Sequence, residues 1–214
     1  MIAYASRTGT RRNLDALRTA GWRLMVSATG AWRNEGFAYA LDNGAWTAHQ
    51  RGEAFDSERF EQCLDAMGAG ADWIALPDIV AGGMRSLAMS LDWMPRVQQI
   101  NPRVLIPVQD GMTPLDVAPH LGNRVGIFVG GSTEFKIDTM FQWGSLARLS
   151  SCYLHVGRVN TRRRILQCAA AGADSFDGTS ASQFASTIPL LDWSRRQSVL
   201  ALGDTDAHDN RKVV

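Results

Sequence analysis

The chain predicts an α/β fold, a compact (β/α)8 TIM barrel. Three observations carry this: about eight short β-rich runs in series, amphipathic segments of helical spacing between them, and polar residues closing run after run. The runs are IAYAS, WRLMVSA, FAYAL, DWIALP, RVLIPVQ, RVGIFVG, CYLHVG and ADSFD. Each is short, apolar and bounded by turn residues, as a buried parallel strand requires. Between them RRNLDALRTAG, SERFEQCLDAMGAG, MRSLAMSLDWMPRVQQI and TRRRILQCAAAG carry helical spacing. Glycines in RTAGW, MGAGAD and AAAGAD stand where helices should stop. TGAWRNEG (29–36) reads as a loop, which makes the second βα unit irregular. Periodicity does not show closure, so an open doubly wound sheet is the alternative. The expected organisation is one barrel over 1–202 and a polar, turn-rich tail over 203–214.

At 214 residues and 45% apolar composition, the chain suffices for one well-filled core and no second domain. A net charge of +1 argues against a broad nucleic-acid footprint but leaves room for local ones. Arginines cluster at Arg7-Arg11-Arg12, at Arg158-Arg162-Arg163-Arg164 and at Arg195-Arg196. The second cluster follows a strand end and is the best candidate for phosphate contact. Cys63, Cys152 and Cys168 are odd in number and lack CxxC or Cys/His spacing, so neither a disulfide framework nor a zinc site is expected. No signal peptide or membrane span is expected, and the expected location is cytoplasmic.

Barrel enzymes work at the C-terminal ends of their strands. Here those ends carry Ser6, Ser27, Asp42, Asp78, Gln109-Asp110, Gly130-Gly131-Ser132, His155 to Arg158, and Asp177. Taken singly, Asp177 reads equally as a helix cap, Asp42 as the first residue of an Asp-Asn-Gly turn, and Asp78 as a loop carboxylate. Together they form a ring of carboxylates at one mouth. Gln109 can donate and accept, and Gly130-Gly131 would let backbone N–H groups approach a bound oxygen. Such a set suits a flat heterocycle with N–H donors and a carbonyl, which describes guanine. Trp46 and His155 could each stack a base or simply fill the core. Trp22, Trp73, Trp93, Trp143 and Trp193 read as core.

From about Phe37 to Ser182 these segments resemble, in order, the tRNA-guanine transglycosylase superfamily of base-exchange barrels. LDNGAW resembles the family's acid/base segment, which implies a general acid/base role for Asp42 and a stacking role for Trp46. Asp78 and Gln109 match positions that bind the guanine edge, and Gly130 and Gly131 the backbone that meets its carbonyl. YLHVG resembles the strand supplying the other stacking face, His155. AAAGADSFDG resembles the segment carrying the nucleophile, Asp177. The family's zinc-binding subdomain, with three cysteines and a histidine, has no counterpart after Asp177, so no metal or other cofactor is expected. The basic residues that hold RNA after the nucleophile are replaced by GTSASQF.

FVGGSTEFK and HVGRVNTRRR look like the DpdA branch, which exchanges guanine in DNA for a 7-deazaguanine, commonly in bacteriophages. The resemblance implies DNA and a free deazaguanine such as preQ0 as partners, a host-cytoplasmic location for a phage-encoded chain, and Arg158, Arg162, Arg163 and Arg164 on DNA phosphates. The other readings are an enzyme acting on tRNA, a non-catalytic binding partner of a companion subunit, and a barrel glycoside hydrolase.

Overall fold

The computed structural model describes residues 1–6 and 10–197. Arg7 and the tail expected over 203–214 lie outside the described residues. Eight parallel strands follow one another in sequence order and the last pairs with the first, so the sheet is a closed barrel and the open-sheet alternative falls. They are β1 (Ile2–Ser6), β2 (Arg23–Ser27), β3 (Tyr39–Asp42), β4 (Ile74–Ala75), β5 (Val104–Val108), β6 (Val125–Val129), β7 (Leu154–Val156) and β8 (Ser175–Gly178). Every residue of β5 and of β8 is buried, because one face meets the helices and the other the barrel interior.

Around the barrel run α1 (Arg11–Thr19), α2 (Ala45–Gln50), α3 (Ser57–Met67), α4 (Met84–Ile100), α5 (Pro114–Val117), α6 (Thr133–Leu149), α7 (Arg162–Ala171), α8 (Ser180–Gln183) and α9 (Ile188–Gln197). Side-chain caps start several of them: Asp56 accepts from the Arg59 N–H at 2.9 Å and Ser132 from the Phe135 N–H at 3.0 Å. Gly172 ends α7 in the left-handed conformation, as expected. The GAG after α3 departs from expectation, since it continues as a short 3₁₀ turn with Gly68 still right-handed.

TGAWRNEG is indeed a loop, with no helix between β2 and β3 among the described residues. Arg59 of α3 fastens it, donating to the carbonyls of Ala28 and Gly30 at 2.9 and 3.1 Å and stacking over Trp32. The core between strands and helices includes Leu17, Leu24, Phe60, Leu64, Ile106 and Ile127. Each such side chain stabilises the fold by about 1.5–3 kcal/mol. Inside the barrel Tyr4, Met25, Ala40, Trp73, Ala75 and Leu105 pack together. The Tyr4 hydroxyl donates to Asp72 at 2.9 Å, and Arg23 pairs with the same carboxylate at 2.9 Å. Asp72 lies just before β4, so this polar group closes the N-terminal end and leaves the opposite mouth for chemistry. Trp22, Trp73 and Trp143 are core, but Trp193 is 43% exposed. It serves instead as a platform for the Arg162 guanidinium, 4.5 Å away.

Candidate active site at the C-terminal mouth

Asp42 is the last residue of β3, in register with Ser27 at the end of β2. The Ser27 hydroxyl and the Gly44 N–H, the latter at 3.2 Å, donate to its carboxylate. The turn reading therefore holds, and the same carboxylate stands at the C-terminal mouth. Gly44 has φ +85° and an added Cβ would meet the Thr29 methyl at 2.7 Å, so this turn demands glycine. Burial is the main force pushing the Asp42 carboxyl up to about 6, and the charges of Asp177 and Asp78 add to it. A carboxyl in that range can give and take a proton near neutrality.

Asp78 follows β4 and is likewise pushed up to about 6 by burial, against hydrogen bonds from Asn43 and Gln109. Asn43 Nδ2 donates to Asp78 Oδ1 at 2.8 Å and to the Leu76 carbonyl at 2.6 Å. The Gln109 side-chain nitrogen faces Asp78 Oδ2 at 3.2 Å, the Ile79 carbonyl at 2.9 Å and the Ser86 hydroxyl at 2.6 Å. Its N–H groups are thus spent on the protein, and what Gln109 can offer a ligand is the acceptor Oε1.

Gly130 and Gly131 differ. The Gly130 N–H is consumed by the Val108 carbonyl at 2.9 Å, so it cannot serve a bound oxygen as expected. The Gly131 N–H has no hydrogen-bond partner among the described residues. Gly131 has φ +70°, and a Cβ there would meet Asp110 Oδ2 at 2.7 Å and Phe135 at 2.8 Å. Asp110 accepts from the Ser132 N–H and hydroxyl, both at 2.7 Å, and these bonds outweigh its partial burial to hold its carboxyl below the usual range.

Asp177, on β8, is 8% exposed. Its Oδ1 lies 3.0 Å from Nε2 of His155 and accepts the Arg158 N–H at 3.2 Å, whereas Oδ2 takes no hydrogen bond from the described residues. Both of these hydrogen bonds thus fall on one oxygen of the carboxylate.

Two further expectations are corrected. His155 presents no stacking face: it is 0% exposed, and Trp73, Phe128 and Tyr4 enclose its ring at centroid distances of 4.6, 4.7 and 5.9 Å. Parallel-strand alternation turns it into the barrel, one layer below Asp177. Arg158 is not exposed as Arg162 and Arg163 are, and so does not join them in the outward cluster expected to meet phosphate. Its guanidinium turns into the mouth, donates to the Gly131 carbonyl and lies 4.0 Å from the centroid of Trp46. Trp46, 39% exposed, is at the mouth with this face covered. Arg162 and Arg163 are exposed in the first turn of α7.

Several site residues escape a reading of strand ends. Asn43 stands inside the LDNG motif, where it reads only as the middle of a turn. Ser86 and Ser90 on the buried side of α4 were visible as small polar residues in an apolar stripe. Lys136 of α6 shares a buried face with Met140, Trp143 and Ala147, and its Nζ donates to the Gly157 carbonyl at 3.1 Å. Burial, reinforced by the Arg158 charge, pushes its ammonium down to about 8. It braces the loop whose Arg158 N–H holds Asp177. A charge at 136, 140, 143, 147 spacing was the signal.

No group of three or more His, Cys, Asp or Glu that could hold a metal ion occurs among the described residues. No helix among them is long and apolar enough to cross a membrane.

No family model matches the chain, and no curated protein matches it. Solved structures do. RipC from Yersinia pestis superposes with a TM-score of 0.54 at 11% identity, over 90% of this chain and 94% of that one. The 3-hexulose-6-phosphate synthase from Salmonella typhimurium gives 0.54 at 10%, over 92% and 100%. GGGPS from Thermoplasma volcanium gives 0.50 at 13%, over 94% and 92%. At such identities the likeness is one of fold: this chain is a (β/α)8 TIM barrel.

Proposed function

We propose that the protein is a base-exchange enzyme, a DNA-guanine transglycosylase that replaces guanine in DNA by a 7-deazaguanine such as preQ0. The observation that carries the reading is the division of labour among three carboxyls at one mouth. Asp177 is pinned through Oδ1 with Oδ2 open, while burial raises Asp42 and Asp78 to about 6. Similar groups made unlike by environment are what nucleophile and acid/base roles require. The ordered motifs shared with the transglycosylases supply the choice of reaction.

In the first step Asp177 Oδ2 attacks C1′ of a deoxyguanosine as the C1′–N9 bond breaks, leaving the sugar joined to the carboxylate with its phosphates intact. Asp42, protonated, gives its proton to the departing guanine. In the second step the deazaguanine returns a proton from N9 to Asp42, and N9 displaces Asp177. One proton makes the round trip, and two inversions give net retention.

Asp78 and Gln109 Oε1 accept from the N–H groups of the guanine edge, and the Gly131 N–H donates to the carbonyl. Adenine reverses that donor and acceptor pattern, and each mismatched buried group costs about 1–3 kcal/mol. The base packs at Trp46 beside the Arg158 guanidinium. A duplex base must first be flipped, and Arg162 and Arg163, both exposed, meet its phosphates together with Arg164.

The test is incubation with preQ0 and either guanine-containing DNA or tRNA, followed by nucleoside mass spectrometry, with Asp177→Ala as control. A deazaguanine nucleoside in DNA that vanishes in the variant is the expected result. Modification of tRNA alone would assign the enzyme to RNA; no product in either would sink the exchange reading in favour of a binding role beside a companion subunit.

A further inference from the structure

His155 takes no part in the steps above, yet its side chain touches Asp177. It stands in register with Ser175 across the β7–β8 pair, and Asp177 follows two residues along β8. In-register residues of a parallel pair share a face, as do residues i and i+2 of a strand. All three side chains therefore enter the barrel interior, where His155 and Ser175 are both 0% exposed.

Nδ1 of His155 lies 2.7 Å from the Ser175 hydroxyl, and Nε2 lies 3.0 Å from Asp177 Oδ1. As a nucleophile Asp177 is a carboxylate, which accepts and cannot donate, so the proton on the second line belongs to Nε2. Nδ1 is then bare and accepts from Ser175. Burial disfavours a second proton, against the pull of Asp177, and the ring stays neutral. The enclosing rings of Trp73 and Phe128 keep its plane from turning.

We infer that His155, held by Ser175 as the Nε2–H tautomer, is a positioning residue that pins Asp177 through Oδ1 and presents Oδ2 to the reacting carbon. The inference rests on the reading of Asp177 as the nucleophile. Its physical content is that an unpinned carboxylate rotates, whereas a neutral donor fixes one oxygen without the charge quenching that an imidazolium would bring. The Arg158 N–H reaches the same oxygen, so both donors leave Oδ2 open.

The chain has four histidines, so ¹⁵N-histidine labelling gives a spectrum in which loss of one ring system in His155→Gln assigns the signal. Long-range ¹H–¹⁵N correlation then reads the tautomer directly. Wild type should show neutral imidazole protonated at Nε2, and Ser175→Ala, which removes the donor to Nδ1, should shift the Nδ1 ¹⁵N resonance. An Nδ1–H ring or an imidazolium at pH 7 would overturn the inference. On the activity side, His155→Leu, checked for folding by circular dichroism, should lower kcat about 100-fold with little change in KM, as misplacement of a reacting group does. His155→Gln keeps an N–H near the position of Nε2 and should recover most of that loss. A folded His155→Leu with wild-type kcat would also overturn the inference. If wild type exchanges no base, the exchange reading falls by itself, and the tautomer still decides whether His155 holds Asp177 in this way.

Discussion

Asn43 ties two strand ends together: its Nδ2 donates to Asp78 Oδ1 at 2.8 Å across the β3–β4 junction. The same nitrogen donates to the Leu76 carbonyl at 2.6 Å, and Oδ1 accepts the Ala45 N–H at 2.8 Å. Asn43→Ala leaves these partners unmatched and should cost about 1–3 kcal/mol in urea denaturation. It also removes a bond that holds the Asp78 carboxyl down, so NMR titration should find that carboxyl above its wild-type value.

The raised carboxyls predict an inverse relation between stability and activity. The folded pKa of Asp42 and of Asp78 is about 6 against the ordinary 3.8, so between these limits the folded chain binds more protons than the unfolded one. Their contribution is full below pH 4 and is lost as pH rises through about 6. Asp42→Asn and Asp78→Asn should each raise stability at pH 7.5 by about 1–2 kcal/mol while abolishing or crippling exchange. Thermal denaturation beside the exchange assay checks both halves. Equal or lower melting temperatures would sink the account of the burial.

Lys136 carries the opposite sign. Its folded pKa of about 8 lies below the ordinary 10.5, so the folded chain binds fewer protons across that window. Stability from this group rises as pH goes from 8 to 10.5, by about 1–3 kcal/mol. Denaturation curves for wild type and Lys136→Met should converge or diverge in that window only, and curves that stay parallel would count against the buried ammonium.

The arginines separate on salt. Arg162 and Arg163 stand exposed in the first turn of α7, whereas Arg158 is turned onto Trp46 and the Gly131 carbonyl. Arg162→Ala and Arg163→Ala should each reduce the salt slope of DNA binding by about 1. Arg158→Ala should leave the slope unchanged. Fluorescence anisotropy at several salt concentrations measures all three, and a reduced slope for Arg158→Ala would mean that its side chain swings out to the DNA.

The barrel was legible because each strand and most helices obey a local rule. Met84–Ile100 is helical over the whole run that its spacing marked out, and the carboxylates lie at strand ends where an apolar run must stop. What was not legible depends on register. YLHVG says that a histidine sits near a strand end, but whether it faces the mouth or the layer beneath depends on its pairing with Ser175, set by the neighbouring strand. Arg158 escaped for a related reason. Its basic neighbours in sequence belong to α7, while its own φ of +58° turns it toward Gly131 and Trp46. Trp193 shows the same limit: its neighbours suggested core, and the placement of α9 left it outside.

The two-residue β4 is the thinnest stave of the barrel, with Leu41 and Ile74 the one register pair joining it to β3. Just beyond that pair, the Asn43 amide reaches the Leu76 carbonyl and continues by side chain the stitching that backbone supplies elsewhere. The seam and the proposed base pocket thus share their fastenings. A base that engages Asp42 and Asp78 would bridge the joint as well as fill the pocket, so amide protons along β3 and β4 should exchange more slowly when it is bound. On the proposed function, recognition of the base and closure of the wall become one mechanical event.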